Sequence, residues 1–269
     1  MAHHAPIGIF DSGIGGLTVV KEVRRLMPQE NVIYFGDTAR APYGSRPPEQ
    51  IVEFMHQILR FFTMKQVKMA IFACNTMTAL GFEEARRRYD FMLVGMNTGV
   101  AQALAKSRNG RIGVIATQAT IASGSHGKAV RAAGRQAVIY PQACPALVPL
   151  IEQAVTGGPQ LEEAVQQSLE AIKSTGIDTL ILGCTHYPFI TQSIREAVGK
   201  EVSIIDPARA TAAAAYETLA AAGRLADSTR TGLVRLCFSA GLERAKQMAG
   251  LVMDTANVEF ELVNLAVCR

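Results

Sequence analysis

Two short strings in this chain carry residues able to do chemistry at a carbon centre: Ala70-Ile-Phe-Ala-Cys74-Asn75-Thr76 and Leu180-Ile-Leu-Gly-Cys184-Thr185-His186. Each is an apolar run that ends in a cysteine followed by small polar residues. A buried strand that stops at a cysteine and turns into a helix sets the thiol at the carboxyl edge of a sheet, where open α/β folds hold their ligands. A helix beginning there brings its positive dipole end to the sulfur and favours thiolate over thiol. Two such elbows predict two similar half-molecules, each presenting a reactive sulfur. Thiols on opposite sides of one small pocket suit moving a proton from one face of a carbon to the other.

Other residues widen the choice of chemistry before they narrow it. Asp11-Ser-Gly-Ile-Gly-Gly-Leu-Thr18 follows an apolar run and opens a helical pattern, as a phosphate loop does. The dinucleotide fingerprint, however, needs a third glycine where Thr18 stands, and the Gly-Lys-Ser/Thr of a P-loop is absent. Asp11 at the loop mouth would also repel phosphate. Asp11 and Ser12 instead suit a small zwitterion, with the acid holding an ammonium group or assisting proton transfer; an N-cap role is the plainer alternative. Cys184-Thr-His186 places an imidazole two residues from a thiol, a spacing unlike zinc pairs, and able to orient or tune a nucleophilic sulfur. For Cys144, Cys237 and Cys268 the plain reading, a small buried hydrophobe, is adopted. For Cys74 and Cys184 it stands as the alternative.

The elements that must position these groups follow from periodicity. Strands are predicted at Pro6–Phe10, Asn31–Phe35, Met69–Ala73, Phe91–Gly95, Arg111–Ala116, Ala137–Tyr140, Thr179–Leu182, Val202–Ile205, Leu233–Phe238 and Val258–Leu262. Segments with helical spacing lie between most of them, such as Glu49–Phe62 and Leu161–Lys173, and Asp206-Pro207 reads as the entry to an alanine-rich helix. This alternation predicts parallel sheets flanked by helices. A faint internal repeat sets Ile7-Gly-Ile-Phe-Asp11 beside Ile112-Gly-Val-Ile-Ala-Thr117 and the Cys74 elbow beside the Cys184 elbow. The chain of 269 residues has room for one large α/β domain or two smaller ones.

Composition closes off several classes. With 49% hydrophobic and 19% charged residues, the chain reads as a folded protein rather than a disordered one. A net charge of +4 is modest, and Arg86-Arg87-Arg88 would point three ways from a helix, so no nucleic-acid surface is expected. No apolar run is long enough to span a membrane, and Met1-Ala-His-His-Ala-Pro has no signal-peptide pattern. Five cysteines without paired spacing predict reduced thiols and a cytoplasmic setting, and the absence of Cys-x-x-Cys disfavours a thiol redox protein.

Four motifs together carry a resemblance. Phe10-Asp-Ser-Gly-Ile-Gly-Gly-Leu-Thr18, Tyr34-Phe-Gly-Asp-Thr38 with Pro42-Tyr43-Gly44, Ala73-Cys-Asn-Thr76 and Gly183-Cys-Thr-His-Tyr-Pro188 resemble bacterial glutamate racemases, of the cofactor-independent aspartate/glutamate racemase superfamily. Each motif is short, but four in the same order are specific, and the likeness runs from about Ile7 to Leu265. It implies two α/β lobes related by pseudo-twofold symmetry, residues 1–97 with 207–269 and residues 98–206, and an active site in the cleft between them. It also implies interconversion of L-glutamate and D-glutamate by Cys74 and Cys184 without pyridoxal phosphate, metal or other cofactor, supplying D-glutamate for peptidoglycan. Asp11 would lie beside Cys74, and Glu152 and His186 nearer Cys184, tuning the thiols and holding the substrate ammonium. Ser12, Pro42, Tyr43, Gly44, Asn75, Thr76, Thr117, Thr120 and Thr185 would complete the substrate site.

The expected setting is a cytoplasmic homodimer that needs neither nucleic acid nor membrane. Some relatives carry a longer N-terminal extension associated with activation by a peptidoglycan precursor; six residues precede Ile7, where the likeness begins, and no such activator is expected. The chain departs from the family at Met77-Thr78, beside Cys74, and at Gly95-Met-Asn-Thr-Gly99, where it would pass between lobes. A racemase for another acidic amino acid such as aspartate, or a small-acid binding protein without turnover, are the alternatives.

Overall fold

The computed structural model describes residues 3–265, so Cys268 lies outside the described residues. The chain divides into two compact units, one running to Met96 and resuming at Ala208, the other Asn97–Pro207. In the first unit the chain runs through β1 (Ile7–Asp11), α1 (Leu17–Leu26), β2 (Val32–Gly36), α2 (Pro48–Met64), β3 (Met69–Phe72), α3 (Asn75–Arg88) and β4 (Met92–Val94). The second unit begins with α4 (Val100–Lys106), β5 (Arg111–Ala116), α5 (Gln118–Ala122), α6 (Ser125–Ala132) and β6 (Val138–Ala143). It continues with α7 (Leu147–Glu152), α8 (Pro159–Lys173), β7 (Thr179–Gly183), a 3-10 turn (Tyr187–Ile190), α9 (Thr191–Val198) and β8 (Ser203–Ile205). The chain then returns to the first unit through α10 (Ala208–Ala221), β9 (Val234–Phe238), α11 (Leu242–Val252) and β10 (Val258–Leu262).

Strands occupy all ten predicted places, but two ends differ in ways that matter. β1 extends to Asp11, so that carboxylate belongs to the last residue of a strand rather than to the loop beyond it. β6 continues through Pro141 to Ala143, past the predicted stop at Tyr140. Proline is tolerated there because β6 is an edge strand, pairing among the described residues only with β5.

Both sheets are parallel, and their orders correspond. The second reads β6-β5-β7-β8; the first contains β2-β1-β3-β4, with β9 and β10 added outside β2. The faint repeat in the sequence is therefore present as topology: β1 and β5 are each flanked by the next strand on one side and the cysteine strand on the other. Strands covered on both faces read as continuous apolar runs, and every residue of β1, β2, β3 and β7 is buried.

In the first unit the rings of Phe10, Phe62 and Phe72 meet under the sheet, with centroids 5.8 Å (Phe10–Phe62) and 4.6 Å (Phe10–Phe72) apart. In the second, Val100, Ile112, Val114, Val130 and Ile181 form the corresponding core. A buried ion pair fastens the returning segment. Lys68 Nζ lies 2.6 Å from Glu30 Oε2 and donates to the carbonyls of His3 and Arg224, while Ala226 N–H donates to Glu30 Oε1. Burying two charges is tolerable only with such complete pairing.

Candidate active site

In a doubly wound sheet, the crevice for a ligand opens at the carboxyl ends of the two strands where the winding reverses. Here those pairs are β1 with β3 and β5 with β7. The residues that leave these four strands are Asp11-Ser12, Cys74, Thr117 and Cys184, all of them candidates from the sequence.

In the first unit, Cys74 caps α3 in an extended conformation and is 5% exposed. Its thiol therefore stands at the positive end of a 14-residue helix. Asn75 and Thr76, the next residues, are buried as well. Asn75 Nδ2 has no hydrogen-bond partner among the described residues. A buried amide donor left open costs about 1–3 kcal/mol, and a carboxylate oxygen beside the thiol would satisfy it. Asp11, fully buried, accepts hydrogen bonds from the N–H groups of Ser12 and Gly16 and from the Ser12 hydroxyl. The carboxylate thus organises its own loop, which Tyr34 also holds by donating to the Gly13 carbonyl at 2.6 Å. The plain capping reading of Asp11 is part of the truth, although the N-cap of α1 is Gly16 and lacks a side-chain bond. Gly16 is required there: a Cβ would come within 2.9 Å of those of Asp11 and Ala73.

Pro42, Tyr43 and Gly44 lie on the loop between β2 and α2. Tyr43 is buried in the same cluster as Cys74 and donates its phenolic hydrogen to Asp37. Burial, and then the Asp37 charge, push its pKa well above the ordinary phenol value, so it acts as a donor at neutral pH. Met77, one of the departures from the family pattern, is fully buried beneath this site, and Thr78 accepts from Met96 N–H at 3.0 Å.

In the second unit, Cys184 is 6% exposed and forms a chain of contacts with His186 and Glu152. The sulfur lies 3.7 Å from His186 Nδ1, and His186 Nε2 lies 2.6 Å from Glu152 Oε1. Burial opposes charge on the imidazole, but hydrogen bonds to Cys184 and Glu152 outweigh it and hold its pKa well above the ordinary value. Glu152 therefore reaches Cys184 through the imidazole, an arrangement the sequence could not give. The expected helix after this elbow is first a 3-10 turn containing Pro188; α9 begins only at Thr191. Thr185 is buried beside the sulfur. Thr117 caps α5 by accepting from Thr120 N–H at 3.3 Å and bonds Thr120 Oγ1 at 3.0 Å, so the two hydroxyls are held together.

Sequence reasoning passed over some neighbours. Tyr187 is fully buried, donates to the Cys144 carbonyl at 3.3 Å, and has its pKa raised well above normal by burial and then by Cys184 and Cys144. Burial, then Cys184, pushes the Cys144 thiol up to about 12, and burial, then Glu261, does the same for Cys237. Neither ionises near neutrality, which fits the plain reading given to both. All four described cysteines are free thiols. Among the described residues no group of three or more His, Cys, Asp or Glu could hold a metal ion, and no helix is long and apolar enough to cross a membrane.

Comparison with known proteins identifies the family. The sequence pattern of the Asp/Glu/Hydantoin racemase family matches residues 17–215. The chain belongs to that family. It is 44% identical over 223 residues to a glutamate racemase of Desulforudis audaxviator, covering 82% of each chain. It is similar in structure to glutamate racemase isoform RacE1 of Bacillus anthracis, with a TM-score of 0.88, 31% identity and coverage of 97% of this chain and 98% of that one. The glutamate racemase of Francisella tularensis, solved in complex with D-glutamate, aligns with a TM-score of 0.87 and 30% identity, covering 98% and 99%. As a member of this racemase family, the chain is an isomerase.

Proposed function

We propose that the chain interconverts L-glutamate and D-glutamate by proton transfer between two cysteines. One sulfur, as thiolate, removes the α-proton, while the other, as thiol, returns a proton to the opposite face of the carbon. The observation that carries this reading is the pair of thiols at corresponding switch points of two sheets wound in the same order, after β3 and after β7. The α-proton of an amino acid is far less acidic than a thiol of pKa about 8.5, so its removal is steeply uphill. Preorganised donors must stabilise the charge that develops. Asn75 Nδ2 is available for that task, with Ser12, Pro42, Tyr43, Gly44, Thr76, Thr117, Thr120 and Thr185 completing the substrate site.

The two sulfurs are activated differently. His186, favoured as imidazolium by its hydrogen bonds to Cys184 and Glu152, places a positive charge 3.7 Å from the Cys184 sulfur. At Cys74 the helix dipole supplies that effect, with Asp11 beside it to hold the ammonium or assist proton movement. Following the family's geometry, Cys74 deprotonates D-glutamate and Cys184 deprotonates L-glutamate. No cofactor takes part, and the product supplies peptidoglycan synthesis in the cytoplasm, with a homodimer as the working assembly.

Proton NMR of glutamate in heavy water tests the reading. Enzyme dialysed against chelator and free of pyridoxal phosphate should turn either enantiomer into the other, with deuterium at the α-carbon of the early product and aspartate a much poorer substrate. Activity restored only by a metal would overturn the cofactor-free mechanism. Substantial transfer of the original α-proton into early product would overturn the two-base mechanism. Binding without exchange would leave a small-acid binding protein.

A further inference from the structure

The loop that carries Tyr43 is anchored by a segment far along the chain. Asp37, at the end of β2, uses its whole carboxylate inside the first unit: Oδ1 accepts from Ser239 Oγ at 2.8 Å, and Oδ2 accepts from Arg40 Nε at 2.5 Å and from the Tyr43 phenol. Ser239 is 202 positions away from Asp37 and follows β9, the strand laid beside β2 when the chain returns from the second unit. Its hydroxyl works twice, donating to Asp37 and accepting from Ala39 N–H at 2.8 Å. Backbone bonds tie the same two segments, with Ser239 N–H donating to the Gly36 carbonyl and Ala240 N–H to Thr38 Oγ1. Arg40 completes the frame, its guanidinium 3.9 Å over the Phe54 ring and bonded to Gln57.

We propose that Ser239 and Asp37 are positioning residues, a two-step relay that fixes the Tyr43 hydroxyl, and with it the Pro42-Tyr43-Gly44 loop, beside the Cys74 thiol. The proposal rests on the racemase reading above for its catalytic consequence and on the hydrogen-bond chain for its structure. Tyr43 has one phenolic hydrogen to donate, and Asp37 receives it. Arg40 holds the oxygen that receives it, and Ser239 holds the other, so the two together set the direction in which the carboxylate faces Tyr43. A serine serves because one small hydroxyl can donate and accept at once. The relay touches no reacting atom, so its loss should weaken the hold on substrate in ground and transition states alike, which raises KM and spares kcat.

The test is kinetics in both directions on the full chain, with tyrosine labelled at the phenolic carbon for NMR and the Tyr43 signal assigned by its loss in Tyr43→Phe. Ser239→Ala should raise KM for both enantiomers about three- to tenfold, as the loss of one buried hydrogen bond does, with kcat within about twofold. Ser239→Thr, which keeps donor and acceptor, should restore it. In a Tyr43→Phe background Ser239→Ala should add nothing, because the relay has lost its end. Should the alanine variant not fold, Ser239→Cys, which weakens both bonds at similar volume, is read in the same way. An unchanged KM, or a full additional effect in the Tyr43→Phe background, would overturn the relay. If the wild-type chain fails to racemise glutamate, the functional reading fails alone. The NMR arm then decides the relay: a displaced Tyr43 signal in Ser239→Ala but not in Ser239→Thr supports it, and an unmoved signal overturns it.

Discussion

The two cysteine elbows occupy corresponding places in two sheets of the same order, yet they are furnished differently. Cys184 carries an imidazole in its own turn, and Glu152 arrives from α7 to hold that imidazole charged. Cys74 opens directly into a long helix, and its neighbours are an unpaired amide donor, a phenol and the Asp11 loop. The difference teaches that one topology can set positive charge beside a thiol in two ways: with a charged imidazole where the following helix is delayed by a proline turn, and with a helix terminus where it is not. In the proposed mechanism, a reaction that is symmetric in its overall free energy would be carried by halves that are not symmetric in their electrostatics.

The largest test removes each sulfur in turn. Cys74→Ala and Cys184→Ala should each lower turnover by at least the roughly 10²–10⁴-fold attributed to one general acid–base group, with circular dichroism and melting nearly unchanged. Cys144→Ala and Cys237→Ala should do the reverse, lowering the melting temperature with turnover largely kept, since both are fully buried. Near-normal turnover in either of the first pair would end the comparison.

The next test asks whether the ion pair serves only its own half. His186→Asn should reduce kcat/KM by about 10²-fold. Because enantiomers have equal free energy, that loss must be the same in both directions. The asymmetry should appear in isotope effects: α-deuterated L-glutamate should show a larger effect on kcat/KM than in wild type, and α-deuterated D-glutamate a smaller one. Equal changes for the two enantiomers would mean that His186 acts on both proton transfers.

A third contrast lies in buried histidines outside the site. His56, in the first unit, has partners on both ring nitrogens, Tyr89 and Glu84. In the second unit His126 Nε2 has none among the described residues, and burial lowers that imidazole to about 4. Its folded-state value lies below that of the unfolded chain, so the unfolded chain takes up the proton first as pH falls. Stability is kept above about pH 6.5 and lost as pH drops toward 4, by roughly 3 kcal/mol. Melting curves from pH 7 to 4 should show this slope, and His126→Gln should flatten it. An unchanged slope in that variant would assign the acid sensitivity elsewhere.

The smallest expected effect concerns the loops after the central strands. Thr117 caps α5, so Thr117→Ala should cost about 1 kcal/mol in denaturant unfolding and also raise KM for glutamate. Ser12 gives α1 no such cap, and Ser12→Ala, which removes one long hydrogen bond to a carboxylate that keeps two backbone donors, should cost less, about 0.5 kcal/mol. Equal costs would show that the two loops are more alike than their hydrogen bonds indicate.

The sequence by itself determined where the strands and the thiols are. Buried parallel strands are apolar runs, a local signal that survives without knowledge of partners, and the polar residues ending those runs fall at the sheet edge wherever the strand is placed. Thus Asp11, Cys74, Thr117 and Cys184 were legible, and so was the family, from four ordered motifs. Where the local signal was interrupted it misled: Pro141 concealed the end of β6, and nothing before Tyr187 announced that α9 would start late. Tertiary structure alone decided which residues meet. The order of strands, the reach of Glu152 to the far nitrogen of His186, the orphaned amide of Asn75 and the clasp of Ser239 on Asp37 depend on contacts between segments distant in the chain. Such contacts leave no period in the sequence, because a hydroxyl or a carboxylate suits a solvated loop as well as a buried partner until folding removes the water.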